Sequence, residues 1–301
     1  MKIPQLRKEE EEKTCHGYTW YDNYSWVHQD NCLEILRDKS KLNPEVRKYL
    51  EEENIYTQKN MKDTENLQKK LFKEIEGRIK LDDESLKYKD KNYQYWTKTT
   101  KEGDYPKLLR KKIGKEEIET YWDGDLEAKG KKFFNTGDIE VSNNDKMLAY
   151  SVDDKGSEYF TIFVRNISDG KKMEDSIQET SGGITWAYDD KSFFYSKLDK
   201  LHRPRQIFQH IIGTQSKDDK LIFEEKDERF TCGLGLSSDE QFYFISTSEH
   251  TTSEIYFIDK NDENLEPKIF IKREQGVQYS INSWNGYFWM NTNKNAEDFK
   301  I

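Results

Sequence analysis

The chain has 301 residues, enough for one large or two ordinary domains, and its 58 acidic and 49 basic side chains leave a net charge of −9. That balance argues against a nucleic-acid polyanion as partner, and no apolar run approaches the length needed to cross a bilayer. Charged residues make up 36% and apolar ones 34%, so the core must lean on the 14% that are aromatic, and these recur at strand spacing as they would not in a disordered chain.

The stretch from Met1 to Lys13 is charged and has no apolar centre, so it reads as no secretory leader. Cys15, Cys32 and Cys232 are an odd number and too few for a disulfide framework, and together these features lead to the expectation of a reducing cytoplasm. Cys15, His16, His28 and Cys32 are the strongest zinc candidates. Paired C-x-x-C knuckles are absent, however, and Tyr18, Trp20, Tyr21, Tyr24 and Trp26 fill the interval, which suits an aromatic anchoring segment better. Asn43 and Pro44 then open a helix running to Met61, with Val46, Tyr49, Leu50 and Ile55 at mostly helical spacing. A second helix is expected from Asp63, with Leu67, Leu71, Phe72, Ile75 and Ile79 on one stripe and Gly77 near its end; its charged remainder reads as a solvated face.

After Asp82-Asp83 the apolar period changes from about 3.6 to 2. Five times a polar turn is followed by an aromatic strand, with copies beginning at Lys91, Lys146, Lys191, Glu240 and Asn285, spaced 55, 45, 49 and 45 positions apart. Within the copies, paired strands are expected at Met147 to Val152 with Tyr159 to Val164, Phe193 to Lys197 with Gln206 to Ile211, and Phe242 to Ser246 with Glu254 to Ile258. Repeats of this length with several strands each are too small to bury their own faces and point to propeller blades. The expected fold is an all-β propeller over residues 81–301, with five four-stranded blades of which the fifth is incomplete, preceded by a short helical segment over residues 1–80.

The chemistry-bearing residues read mostly as structural. His202, His210 and His250 lie far apart near turns or strand ends, where a hydrogen-bonding role is expected of each. Asp82-Asp83, Asp153-Asp154, Asp189-Asp190 and Asp218-Asp219 read as turn formers, because neighbours on a strand face opposite ways. No G-x-S-x-G elbow and no phosphate-binding glycine loop occurs; Gly233-Leu234-Gly235 has two glycines only and sits between strands.

Ordered segments between residues 150 and 254 resemble the propeller of the prolyl oligopeptidase family, and within it the oligopeptidase B (protease II) branch. They are Tyr150 to Asp153 with Gly156-Ser157-Glu158; Thr180-Ser181-Gly182 with Trp186-Ala187; and Leu198-Asp199 with His202-Arg203-Pro204. His210, Gly213-Thr214, Glu224-Glu225 with Asp227 to Phe230, and His250 to Glu254 continue the set. Upstream, His16-Gly17, Asp22, Tyr24, Trp26, Glu51 to Tyr56 and Gly77 to Lys80 resemble the family's N-terminal segment. Trp20 departs from a usual arginine and Leu86-Lys87 from a usual Val-Pro.

The resemblance implies a serine-type oligopeptidase that hydrolyses short, basic peptides after Arg or Lys. In it an α/β-hydrolase domain holds the Ser-His-Asp machinery, the propeller caps the active site and limits substrate size, and the N-terminal segment packs on the hydrolase domain. That domain and the last blades would lie beyond Ile301, so no catalytic, cofactor or metal residue is carried onto this sequence and the chain by itself is expected to be inactive. The alternative is a stand-alone propeller that binds or scaffolds without catalysis.

Overall fold

The computed structural model describes residues 2–301, which fall into two compact units divided between Lys129 and Gly130. The first unit begins with a hairpin rather than a helix. Strands β1 (Glu11–Cys15) and β2 (Tyr18–Asp22) pair antiparallel about His16 and Gly17, whose φ values of 52° and 80° give the two-residue turn that matches strand twist. The short helical segment expected over residues 1–80 thus opens with a hairpin in its aromatic stretch, because Thr14, Thr19, Trp20 and Tyr21 favour extended backbone. Because Tyr18, Trp20 and Tyr21 stay exposed, they form no apolar face by which the strand could be read.

Helices α1 (Cys32–Arg37), α2 (Pro44–Met61) and α3 (Glu65–Glu76) follow. Helix α2 starts where its cap dictates, with the Asn43 side chain accepting from the Glu45 amide at 2.8 Å and Pro44 in the first turn. Gly77 closes α3 by donating its amide to the Lys73 carbonyl at 2.9 Å. The α3 stripe of Leu67, Leu71, Phe72 and Ile75 is exposed.

A five-stranded sheet completes the first unit: β3 (Asp83–Glu84), β4 (Tyr88–Asp90), β5 (Tyr93–Thr99), β6 (Lys107–Lys112) and β7 (Ile118–Asp123), with β3 and β4 both pairing β5. A short helix α4 (Gly124–Ala128) follows. Tyr93, Tyr95 and Trp96 of β5 are buried, and the Arg110 guanidinium lies 4.2 Å from the Tyr93 ring while its Nε donates to Glu119 at 2.7 Å.

The second unit is a run of antiparallel meanders. Seven strands form one sheet: β8 (Asn135–Val141), β9 (Met147–Asp153), β10 (Phe160–Asn166), β11 (Lys172–Trp186), β12 (Ser192–Leu198), β13 (Pro204–Ile211) and β14 (Lys220–Glu224). Four more form the next: β15 (Thr231–Leu236), β16 (Phe242–Ser248), β17 (Ser253–Asp259) and β18 (Lys268–Ile271). The last is a pair, β19 (Tyr279–Trp284) and β20 (Tyr287–Thr292).

The seven-stranded sheet is two four-strand groups joined through β11. Its first half pairs β10, Arg165 opposite Lys172 and Phe160 opposite Thr180, and its second half pairs β12, Ile184 opposite Tyr195 and Trp186 opposite Phe193. Between them the chain reverses. Ile184 donates its amide to Asp138 Oδ2 at 3.1 Å and Trp186 Nε1 donates to the Glu140 carbonyl at 2.9 Å, so residues 184–186 run alongside β8 in the same direction. Gly182, at φ 97°, makes the reversal, and a Cβ there would stand 3.0 Å from the Phe160 ring.

The sequence repeat corresponds to the turn before the second strand of each group. Asp145, Asp190, Glu240 and Asn285 all have positive φ, between 53° and 64°, as does Lys91 at 45° in the first unit. In two groups a serine ties the turn, with the Met147 amide donating to Ser142 Oγ at 2.9 Å and the Phe242 amide to Ser237 Oγ at 3.0 Å; Asp189 accepts from the Ser192 amide in the group between. These turns mark one rim of the unit, here the near rim, and they are stitched together. Asn143 Nδ2 donates to the Ala187 carbonyl, the Tyr188 amide to the Tyr243 hydroxyl, and the Ser238 amide to Asn282 Oδ1, at 2.9, 3.0 and 2.8 Å. Apolar cores lie between successive groups, one around Ile162, Ile177, Trp186 and Phe193, the next around Phe194, Ile207, Tyr243 and Ile258.

Candidate functional site

Antiparallel meanders send alternate connections to alternate ends, so the far rim holds residues 154–159, 180–183, 199–203, 225–230, 249–252 and 272–278. Most segments that carry the family resemblance lie there, and their polar groups are already committed. Asp153, buried, accepts from the amides of Lys155, Gly156 and Glu158 at 2.9, 3.0 and 2.7 Å. Asp199 accepts from the Leu201 and Arg203 amides and pairs with Arg205 Nε at 2.7 Å. Burial opposes the Asp199 charge, but the Arg203 amide and the Arg205 guanidinium outweigh it and hold the carboxyl below its ordinary range.

Arg273 is the hub of this rim. Its Nη2 meets Glu225 Oε2 at 2.5 Å and Glu254 Oε2 at 2.8 Å, its amide donates to Glu254 Oε1 at 2.7 Å, and its guanidinium lies 4.0 Å from the Phe230 ring. Both glutamate side chains are 6% exposed and the arginine 26%. Burial works against the Glu254 charge, yet Arg273 and the Tyr256 hydroxyl keep its carboxyl lowered. The hub joins the β14–β15 loop, the start of β17 and the β18–β19 loop into one rigid edge.

A second array lies between the first two groups, toward the near rim. His210 Nδ1 contacts Asp219 Oδ1 at 2.7 Å and Nε2 contacts Asp175 Oδ1 at 2.9 Å, with all three side chains 1% exposed. Asp219 also accepts from the Tyr195 hydroxyl at 2.8 Å, and Asp175 from the Gly213 amide at 2.6 Å. Burial first, and the bond to Asp219 second, raise the Tyr195 hydroxyl well above its usual range. Each ring nitrogen thus has a carboxyl oxygen as its partner. With both nitrogens engaged and the ring buried, His210 is not open to a substrate or a nucleophile.

The sequence candidates therefore scatter. Cys15 and His16 sit at the β1–β2 turn, His28 faces Asp30 at 3.6 Å, and Cys32 opens α1; no group of three metal-ligating side chains forms among the described residues. His202 stands edge-on to Tyr159 with ring centroids 4.4 Å apart, and His250 accepts at its carbonyl from Gln278. Asp153 and Asp189 cap amides of their own turns, whereas Asp82 accepts from the Lys101 amide, 19 positions away, at 2.9 Å. Asp218 and Asp219 lie in the β13–β14 turn, and Asp219 has a second role there as the partner of His210. Neither that array nor the Arg273 hub was singled out from the sequence, since their partners stand 9 to 48 positions apart. No helix among the described residues is long and apolar enough to cross a membrane.

Comparison with known proteins gives a consistent picture. The family model for the prolyl oligopeptidase N-terminal beta-propeller domain matches residues 4–301. Protease 2 of Moraxella lacunata is 26% identical over 310 residues, covering 100% of this chain and 43% of that protein. Dipeptidyl aminopeptidase BI of Pseudoxanthomonas mexicana is 29% identical, with 96% and 41% covered. Among solved structures, oligopeptidase B from Leishmania major superposes with a TM-score of 0.88 at 24% identity, over 98% of this chain and 43% of that one. Oligopeptidase B from Trypanosoma brucei, with covalently bound antipain in a closed form, gives 0.85 at 25% identity, with 98% and 43% covered. The chain thus spans about two-fifths of the length of the relatives it matches.

Proposed function

The chain belongs to the prolyl oligopeptidase family by its N-terminal β-propeller domain, and from that premise we propose that it is the cap of an oligopeptidase B-like enzyme cleaving short peptides after basic residues. In this reading the four-strand groups are blades of a seven-bladed ring, with β19 and β20 the first strands of the fifth. The division of labour is an N-terminal segment over residues 1–80, a hairpin followed by helices, and a propeller from 81 onward. Catalysis rests on the Ser-His-Asp set of an α/β-hydrolase domain, and this chain supplies no catalytic, cofactor or metal-binding residue. The propeller's role is to exclude folded proteins from that site. Three free cysteines suit a reducing compartment, and the reading puts the enzyme in the cytoplasm.

The observation that carries the proposal is the unburied α3 stripe of the first unit, and the pre-organised far rim of the second unit separately supports it. A stripe of Leu67, Leu71, Phe72 and Ile75 on an amphipathic helix needs a partner surface, and the hydrolase domain is the occupant this reading assigns. The far-rim carboxylates and arginines satisfy one another, which leaves a stiff edge against which a second domain can close.

The test uses the enzyme with its hydrolase domain and two fluorogenic dipeptides, one ending in Arg-Arg and one in Gly-Pro before the reporter amide. Cleavage of the first, none of a folded protein and none by residues 1–301 alone is expected. Cleavage after proline but not after arginine would refute the basic specificity, and equal attack on folded protein would refute the capping role.

A further inference from the structure

A cleft of about 950 Å³ opens at the near rim between the β10–β11 turn and the loop from Gly213 to Ser216. Asp169, Lys171, Lys172 and Glu174 line it and cancel in formal charge, so the surface of the cleft has no excess of either sign. Asp175 lines the same cleft and is 1% exposed; its Oδ1 is taken by His210 and the Gly213 amide, while its Oδ2 is buried with no hydrogen-bond partner among the described residues. A buried carboxylate oxygen left without a donor is costly, and a ligand that supplies one recovers that cost.

We propose that this cleft is a binding site for an alkylammonium group, the chemistry of a lysine side chain. Met147 and Met173 give the wall an apolar surface for the methylene stem, and Asp175 Oδ2 receives the charged head. Only one oxygen is available, which suits the point charge of an ammonium; the fork of a guanidinium needs two acceptors. Because Oδ2 is shielded from bulk water, seating the head displaces part of the lining, and the unbranched methionines can yield. The site is independent of the cleavage specificity proposed above, since all its lining residues belong to this chain and cleavage is assigned to the hydrolase domain.

The test is amide chemical-shift titration of the whole 301-residue chain with Nα-acetyl-lysine methylamide, against the same compound acetylated at Nε. The charged probe should shift Ser176, Gly213 and Thr214 saturably, and both the neutral probe and Asp175→Asn should weaken binding about tenfold or more. Equal affinity for the two probes, no shift at these amides up to roughly 50 mM probe, or unchanged affinity in Asp175→Asn overturns the proposal. If that variant fails to fold, the comparison of charged and neutral probes on the native chain decides alone.

Discussion

Replacing Arg273 with methionine keeps a stem of similar length against Phe230 while removing the charge that two buried glutamates share. Breaking a buried pair by deleting one partner costs about 3–5 kcal/mol. The low end, about 3, applies here, because the guanidinium is 26% exposed and Glu254 keeps the Arg273 amide and the Tyr256 hydroxyl. Arg273→Lys retains the charge but cannot span both carboxylates, and a loss of about 1–2 kcal/mol is expected. Urea unfolding followed by tryptophan emission, with native-state exchange at the Ile255 and Tyr256 amides, reads the difference. A methionine variant within about 0.5 kcal/mol of the parent, or equal losses for methionine and lysine, would refute the view that the hub is held by shared charge rather than by packing.

Acid should loosen the same edge. Glu254 and Asp199 have lowered folded-state pKa values, so their stabilisation is present above the unfolded values of about 4 and is lost as pH falls through the folded ones. The urea midpoint should hold level from neutrality to about pH 5 and fall below it, and Arg273→Met should flatten that fall; a midpoint rising into acid contradicts the sign. Burial, with Glu225 adding to it, pushes the Cys232 thiol up to about 12, whereas Cys15 and Cys32 are exposed. A thiol reagent at mildly alkaline pH should therefore titrate two cysteines in the native chain and the third only in denaturant, and three fast equivalents would sink this assignment. Gly182→Ala should cost about 1–3 kcal/mol from its backbone angle and the Phe160 clash, against little for Gly183→Ala, whose Cβ meets open space; matched effects would mean the reversal does not depend on glycine.

Much of the second unit was legible because its repeat is local. A turn residue with positive φ and the aromatic strand after it sit within six positions of one another, and the strands read at Met147, Phe193 and Phe242 lie within β9, β12 and β16. Asn43-Pro44 announced α2 by the same locality. What escaped depends on distance or on exposure. The β1–β2 hairpin leaves its aromatics in solvent, so no alternation of buried and exposed positions marks it. Asp219 looks like a turn former beside Asp218, and only the pairing of β13 with β14 turns it toward His210. Arg273 meets Glu225 across 48 positions, a relation that no single-sequence pattern encodes.

The reversal at Gly182 puts the covalent repeat and the hydrogen-bonded sheet out of phase. Strand β11 serves both groups, its first half laddered to β10 and its second to β12 with the register broken between Thr180 and Ile184, so a cut at the β10–β11 or β11–β12 turn leaves half of β11 unpaired. Such a shared strand welds its neighbours into one cooperative folding element, whereas β15 starts a new ladder after the loop at residues 225–230. That loop is itself held by the Arg273 hub through Glu225 and Phe230, so hydrogen exchange there should report the opening of the hub, and Arg273→Met should speed it.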